Sequence, residues 1–238
     1  MKNAIVIGAT SGIGKGLARL LVRKGYKVGI TGRRLELLKE LKSEDPDLYF
    51  IKNFDIKDTK LSLEKLEELT NHLGGLDLLI ISSGTGDLND RLDFEIEKNT
   101  IDTNVTGFTA VAGWAFKRFE RQKCGHLVAI TSIGGLRGSW QAPSYNATKS
   151  YQINYLEGLR QKANRIRSRI YITDIRPGLV DTEMAKGEGL FQVMPVEKTV
   201  RQIYKAIKKK KRIAYVTKRW GVLAFLLKLI PGPIYDRM

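Results

Sequence analysis

A chain of 238 residues with 42% hydrophobic composition can bury one sizeable core, and its single cysteine, Cys124, excludes an internal disulfide and reads as a small core residue. Of the formal charge of +16, residues 196–238 carry +10, so the basicity belongs mostly to a tail that lacks a recognised nucleic-acid reading motif, and no nucleic-acid partner is expected. No stretch approaches the ~20 apolar residues of a membrane-spanning helix, and the run Ala4 to Ile7 is too short for a signal-peptide core, so a cytoplasmic protein is expected.

The first predicted strand is Ala4 to Ile7. GATSGIG at residues 8–14 follows it directly and leads into the helical spacing of Leu17, Leu20 and Leu21. A strand-to-helix turn with Gly8, Gly12 and Gly14, flanked by Thr10, Ser11 and Ile13, lets backbone amides approach a pyrophosphate at a helix N-terminus. The spacing G-x-x-x-G-x-G differs from the commonest dinucleotide fingerprint, and the alternative is a tight turn that merely uses glycine's conformational freedom.

The second strand, Lys27 to Thr31, ends in Gly32, Arg33 and Arg34, about 20 residues after the loop, where NAD sites often place an acid for the ribose hydroxyls. No acid stands there. A guanidinium suits the 2′-phosphate of NADP(H), so Arg33, aided by Arg34, is the expected selectivity element, with a solvated pair opening the next helix as the alternative.

Further along, Leu35 to Lys42 and Leu61 to Leu73 repeat leucine at helical spacing, and Leu48 to Asn53 and Leu76 to Ser82 read as strands. One long helix is expected from about Phe94 to Phe119, a strand from His126 to Thr131, a helix from Ser144 to Asn164, and strands at Arg169 to Ile175 and Ile213 to Val216. The alternation predicts an α/β fold: a single doubly wound, Rossmann-type parallel sheet of about seven strands with helices on both faces. Residues 1–195 form the predicted cofactor-binding body, and 196–238 a basic amphipathic extension of the same domain.

Tyr145 and Lys149, four apart in YNATK, share one helix face. A free tyrosine has a pKa near ~10, and bringing it near neutrality takes roughly 3 units, or about 4 kcal/mol of anion stabilisation. A close ammonium together with an oxidised nicotinamide can supply much of that. Ser132 ends the fifth strand, where its hydroxyl can orient a substrate oxygen; neither His72 nor His126 has the context of a base for a hydrolytic serine. No metal site is expected.

With these motifs in place, the chain resembles the short-chain dehydrogenase/reductase family from Ala4 to about Met184. The resemblance implies that Tyr145 is the general acid in reduction, Ser132 bonds the carbonyl, and Lys149 binds nicotinamide ribose while lowering the tyrosine pKa. It also implies that Asn104, in NVTG, completes a water-linked proton relay. Asp55, in NFDI, is similar to the family's adenine-contacting aspartate, and RPGLVDT at 176–182 is similar to its Pro-Gly turn, placing Pro177, Gly178, Val180 and Thr182 by the nicotinamide. ISSG at 81–84 departs from the usual Asn-Asn-Ala-Gly: Ser82 and Ser83 stand for Asn and Ala, while Gly84 still permits close backbone approach.

The expected activity is therefore NADP(H)-dependent interconversion of a carbonyl and an alcohol; the competing reading is a sensor or scaffold that keeps fold and cofactor without turnover. The family resemblance implies a homodimer or homotetramer. Leu136, Trp140, Met184, Leu190, Phe191 and Met194 form an apolar set for a hydrophobic substrate, or for a lid or subunit contact, with Arg137 available to an anionic group. Residues 208–230 combine five consecutive basic residues with an apolar helix, which suits either peripheral membrane contact or docking against a second subunit or the core.

Overall fold

A computed structural model describes residues 1–183 and 193–237 of the chain; Met184, Leu190 and Phe191 lie outside the described residues. Strands and helices alternate as the sequence predicts. The elements are β1 (Lys2–Ile7), α1 (Gly12–Arg23), β2 (Tyr26–Gly32), α2 (Leu35–Ser43), β3 (Tyr49–Asn53), α3 (Thr59–Leu73) and β4 (Leu78–Ile81). They continue with α4 (Phe94–Ile101), α5 (Phe108–Gln122), β5 (Cys124–Ile130), α6 (Pro143–Arg165), β6 (Arg169–Pro177), α7 (Val196–Lys208), β7 (Ile213–Val216) and α8 (Lys218–Leu229).

All strand pairs are parallel, in the order β3-β2-β1-β4-β5-β6-β7. The strands read as nearly continuous apolar runs because both faces are covered. On β1, Ile5 and Ile7 pack with Leu66, Phe108 and Leu156 beneath α3, α5 and α6. Ala4 and Val6 point the other way, into Leu17, Leu21, Leu38 and Ile203 from α1, α2 and α7. α3 is bounded by the Asp58 side chain, which accepts from Leu61 N at 3.0 Å, and by Gly74 at φ 76°.

Two expectations change. The helix predicted from Phe94 to Phe119 is interrupted by a π-helical turn at Asp102–Gly107, where an added Cβ on Gly107 would stand 2.6 Å from the carbonyl oxygen of Ile56. Cys124 is exposed, because it starts β5 before the strand dips into the core at His126. The basic run and the apolar helix of the tail sit at opposite ends of β7. Lys210 lies 3.8 Å from the Tyr171 ring centroid at the amino edge, whereas Trp220 packs on Gly178 at the carboxyl edge. Val222, Leu223, Phe225, Leu226 and Leu229 of α8 are exposed. No helix among the described residues is long and apolar enough to cross a membrane.

At the amino edge, buried His126 meets the Thr173 hydroxyl at 2.8 Å, and that hydroxyl donates to the carbonyl of Lys211 at 2.6 Å. Thr173 has one hydrogen to give, so the imidazole Nε2 carries the donated proton. Burial, with nearby Lys210, drives the His126 pKa from 6.5 down to about 4. The unfolded chain therefore takes up a proton first, and stability falls as pH drops through that window, by about 3 kcal/mol in total. We predict that His126→Gln shrinks the difference in urea midpoint between neutral pH and about pH 4; an unchanged difference would refute the assignment.

Candidate active site

The carboxyl ends of the strands open into a cleft of about 640 Å³. Of the predicted residues, Gly8, Thr10, Ser11, Gly12, Ile13, Arg33, Arg34, Asp55, Ser83 and Gly84 line one part of it. Ser132, Tyr145, Lys149, Pro177, Gly178, Val180 and Thr182 line the rest, while Gly14 and Asn104 sit behind the lining.

The glycine loop is compact for steric reasons. Gly8 has φ +82°, and a Cβ there would lie 2.7 Å from Ser83 N; a Cβ on Gly14 would lie 2.0 Å from the Gly8 carbonyl oxygen. The loop is held to β2 through Gly8 N and Ala9 N, which donate to the Thr31 carbonyl at 3.1 and 2.9 Å. At the head of α1, the Ser11 side chain makes no cap bond and the first turn holds no acid, so its amides and dipole are left for an anion.

The two arginines differ in organisation. Arg34 donates to Thr10 Oγ1 at 3.0 Å and Ser11 Oγ at 2.8 Å, and pairs with Glu183 at 3.0 Å. Arg33 is two-thirds exposed and reaches Asp55 only at 3.8 Å. The stronger placement thus belongs to Arg34, which the sequence reading made the helper. Asp55 also faces Lys57, at 3.8 Å.

Ser132 follows β5, and its Oγ accepts from Gly134 N at 3.0 Å. Tyr145 stands in the first turn of α6, with its ring against Gly86, where a Cβ would lie 2.2 Å from the ring. Burial pushes the phenol above its ordinary pKa, opposed by hydrogen bonding with the Ser132 hydroxyl. Lys149 is 4% exposed at the cleft wall; burial takes its ammonium down to about 8, with the Asp174 carboxylate opposing. Its Nζ donates to the Ile130 carbonyl and to Gln152 Oε1, each at 3.2 Å, and lies 5.7 Å from the Tyr145 ring centroid.

Asn104 lies in the π-helical turn with its side chain clamped. Oδ1 accepts from Thr85 N at 3.0 Å, and Nδ2 donates to the Thr85 carbonyl at 2.7 Å and to Thr148 Oγ1 at 3.0 Å. Its backbone carbonyl accepts from Gln152 Nε2 at 2.9 Å. Sequence reading missed Thr85, Gly86 and Gln152, whose roles arise from contacts between separate elements.

On the substrate side the expectations fare differently. Arg137 stacks over the Tyr235 ring at 4.2 Å and is committed there, while Trp140 is exposed. Leu136, Arg137 and Trp140 do not line the cleft, and Leu88 does. Met194 pairs with the 179–181 segment, its amide donating to the Leu179 carbonyl at 3.0 Å. Trp220 covers the Pro-Gly turn so closely that a Cβ on Gly178 would stand 2.2 Å from the indole.

The family profile described as short chain dehydrogenase matches residues 2–191. An uncharacterized oxidoreductase of Myxococcus xanthus is 31% identical over 242 residues, spanning 99% of this chain and 95% of its own. One from Mycobacterium tuberculosis is 29% identical, with 98% and 95% covered. Among solved structures, a short-chain dehydrogenase from Sphingobium yanoikuyae in complex with NADPH shares the fold at TM-score 0.80, with 22% identity over 98% of this chain and 97% of that one. ElxO with NADP bound superposes at 0.79, with 24% identity over 90% and 96%.

The Asn104 clamp generates a stability prediction. Asn104→Ala removes the bonds to the part-buried Thr85 amide and carbonyl, and each lost hydrogen bond costs about 0.5–1.5 kcal/mol. The denaturant midpoint should fall with an unchanged slope; a midpoint equal to that of the parent would show that Thr85 is satisfied in another way.

Proposed function

Because the chain belongs to the short-chain dehydrogenase family, we propose that this oxidoreductase interconverts a carbonyl and an alcohol with NADP(H), using Tyr145 as general acid or base. The observation that carries the proposal is the meeting of Ser132, Tyr145 and Lys149 in one cleft with the glycine loop and both arginines. Ser83 Oγ is buried at the same place without a partner among the described residues, as a polar group reserved for a ligand would be.

These residues fit the dinucleotide. The amides of residues 8–14 would hold its pyrophosphate, Arg34 and Arg33 its 2′-phosphate, Asp55 its adenine end, and the Lys149 ammonium its nicotinamide ribose. Pro177, Gly178, Val180 and Thr182 would border the nicotinamide. When bound, the cofactor supplies or accepts the hydride at the substrate carbon.

The protein's own part is the proton. In reduction, Ser132 holds the carbonyl oxygen by a hydrogen bond and Tyr145 gives that oxygen its phenolic proton, leaving a phenolate that Lys149 stabilises. In oxidation the same phenolate takes the alcohol proton. Because burial favours the neutral phenol, Tyr145 stands ready as the acid at neutral pH.

Tyr145→Phe is predicted to lower turnover of aliphatic and aromatic ketones by roughly 10²–10⁴-fold while NADPH affinity stays within about twofold. Fluorescence titration and cofactor oxidation measure the two, and turnover preserved in that variant sinks the proton role. Arg34→Ala should weaken NADPH binding by about tenfold or more, as expected for a lost charge-assisted contact, and leave NADH binding unchanged. Equal losses for both cofactors would remove Arg34 from phosphate recognition.

A further inference from the structure

We propose that Gln152 is a positioning residue for Lys149, joining the ammonium to the backbone carbonyl of Asn104 through its carboxamide. The side chain is 1% exposed, one helical turn beyond Lys149 on α6. Its Oε1 accepts from Lys149 Nζ at 3.2 Å, and its Nε2 donates to the Asn104 carbonyl at 2.9 Å. The orientation of the amide follows from its partners: an ammonium needs an acceptor and a carbonyl needs a donor.

A lysine ammonium has three N–H groups. Ile130 takes one and Gln152 a second, so the third is left for the cleft that Lys149 lines. Asp174 on β6, the acid whose charge acts on Lys149, is already engaged by Arg176 Nε at 2.7 Å and Thr131 Oγ1 at 2.6 Å. Tyr145, on the same helix as Lys149, is a neutral phenol beside it. Orientation of the ammonium therefore falls to two neutral oxygens, one backbone and one from Gln152. An amide keeps its hydrogens near neutral pH, so this link orients Lys149 and does not pass protons along the Asn104 route that the family resemblance implies. The π-helical turn brings the Asn104 carbonyl to this junction, and such bulges recur at functional sites.

This inference rests on the proposed proton chemistry, and its test separates the two. In the full-length protein, the lysine side-chain resonance of Lys149, assigned by its loss in Lys149→Met, is titrated by NMR beside NADPH binding and ketone turnover. Gln152→Met keeps the size and removes both bonds. It should fold, titrate Lys149 below the parental value of about 8, and lower turnover about tenfold to a hundredfold. Gln152→Glu places a carboxylate against the ammonium and should move the titration the other way, above the parental value. Lys149 titrating as in the parent in the folded variants overturns the proposal, and so does collapse of both variants in circular dichroism, which would make Gln152 a packing residue. Opposite displacements without turnover of any ketone would uphold Gln152 and sink the proposed activity instead.

Discussion

Two neighbouring strands impose the constraint from which the site follows. β1 and β4 pair from Ala4 with Leu78 to Ile7 with Ile81, yet the chain leaves them toward opposite faces. After β1 it enters α1, whose Leu17 and Leu21 pack in one apolar layer; after β4 it reaches α5, whose Phe108 and Phe116 pack in the other. The diverging connections leave a crevice above the strand ends, the place where doubly wound sheets bind ligands. The ladder itself runs to the lip of that crevice, since Ser82 N still donates to the Ile7 carbonyl at 2.9 Å.

Closeness at that lip explains the glycines better than flexibility does. Gly8 lies against the backbone of Ser83, and Gly14 against Gly8, so the loop is packed on β4 and on itself. What remains unpacked is the row of amides at the head of α1. Arg34 extends the same electropositive edge by bridging Thr10, Ser11 and Glu183. Its acidic partner Glu183 is exposed, and exposed ion pairs contribute little stability, about 0–1 kcal/mol. The arrangement therefore places a cation without locking it, as would suit the exchange of partners that the proposed phosphate contact requires.

Local patterns made most of the fold and the outline of the site legible. β1 and the GATSGIG loop are adjacent in the chain, and YNATK puts two groups on one helix face, so spacing alone carries the geometry. The π-helical turn was not legible, because DTNVTG keeps a helical apolar rhythm on both sides and the interruption depends on Gly107 meeting Ile56. Gln152 and Asn104 are 48 residues apart, Arg137 and Tyr235 meet only after the tail folds back, and Trp220 reaches Gly178 from beyond β7. At the tail the sequence already separates the lysine run from the apolar helix by the strand that forms β7.

Burial acts on Tyr145 and Lys149 in the same physical sense, against the charged form of each, and so moves their pKa values in opposite directions. Left alone, such a pair drifts toward two neutral groups, a phenol and an amine, as pH rises through about 8. On the proposed chemistry the acid is then available, but the anion it would leave behind lacks its counter-charge. The contacts that resist this drift are the acceptors around Nζ, supplied by Ile130 and Gln152, and the more distant field of Asp174. The neutral phenol is thus what burial provides without help, and the charged amine is what the surrounding oxygens must sustain. On the proposed chemistry, proton donation by Tyr145 would be the resting capability of the site, and proton abstraction would depend on how firmly the ammonium is held.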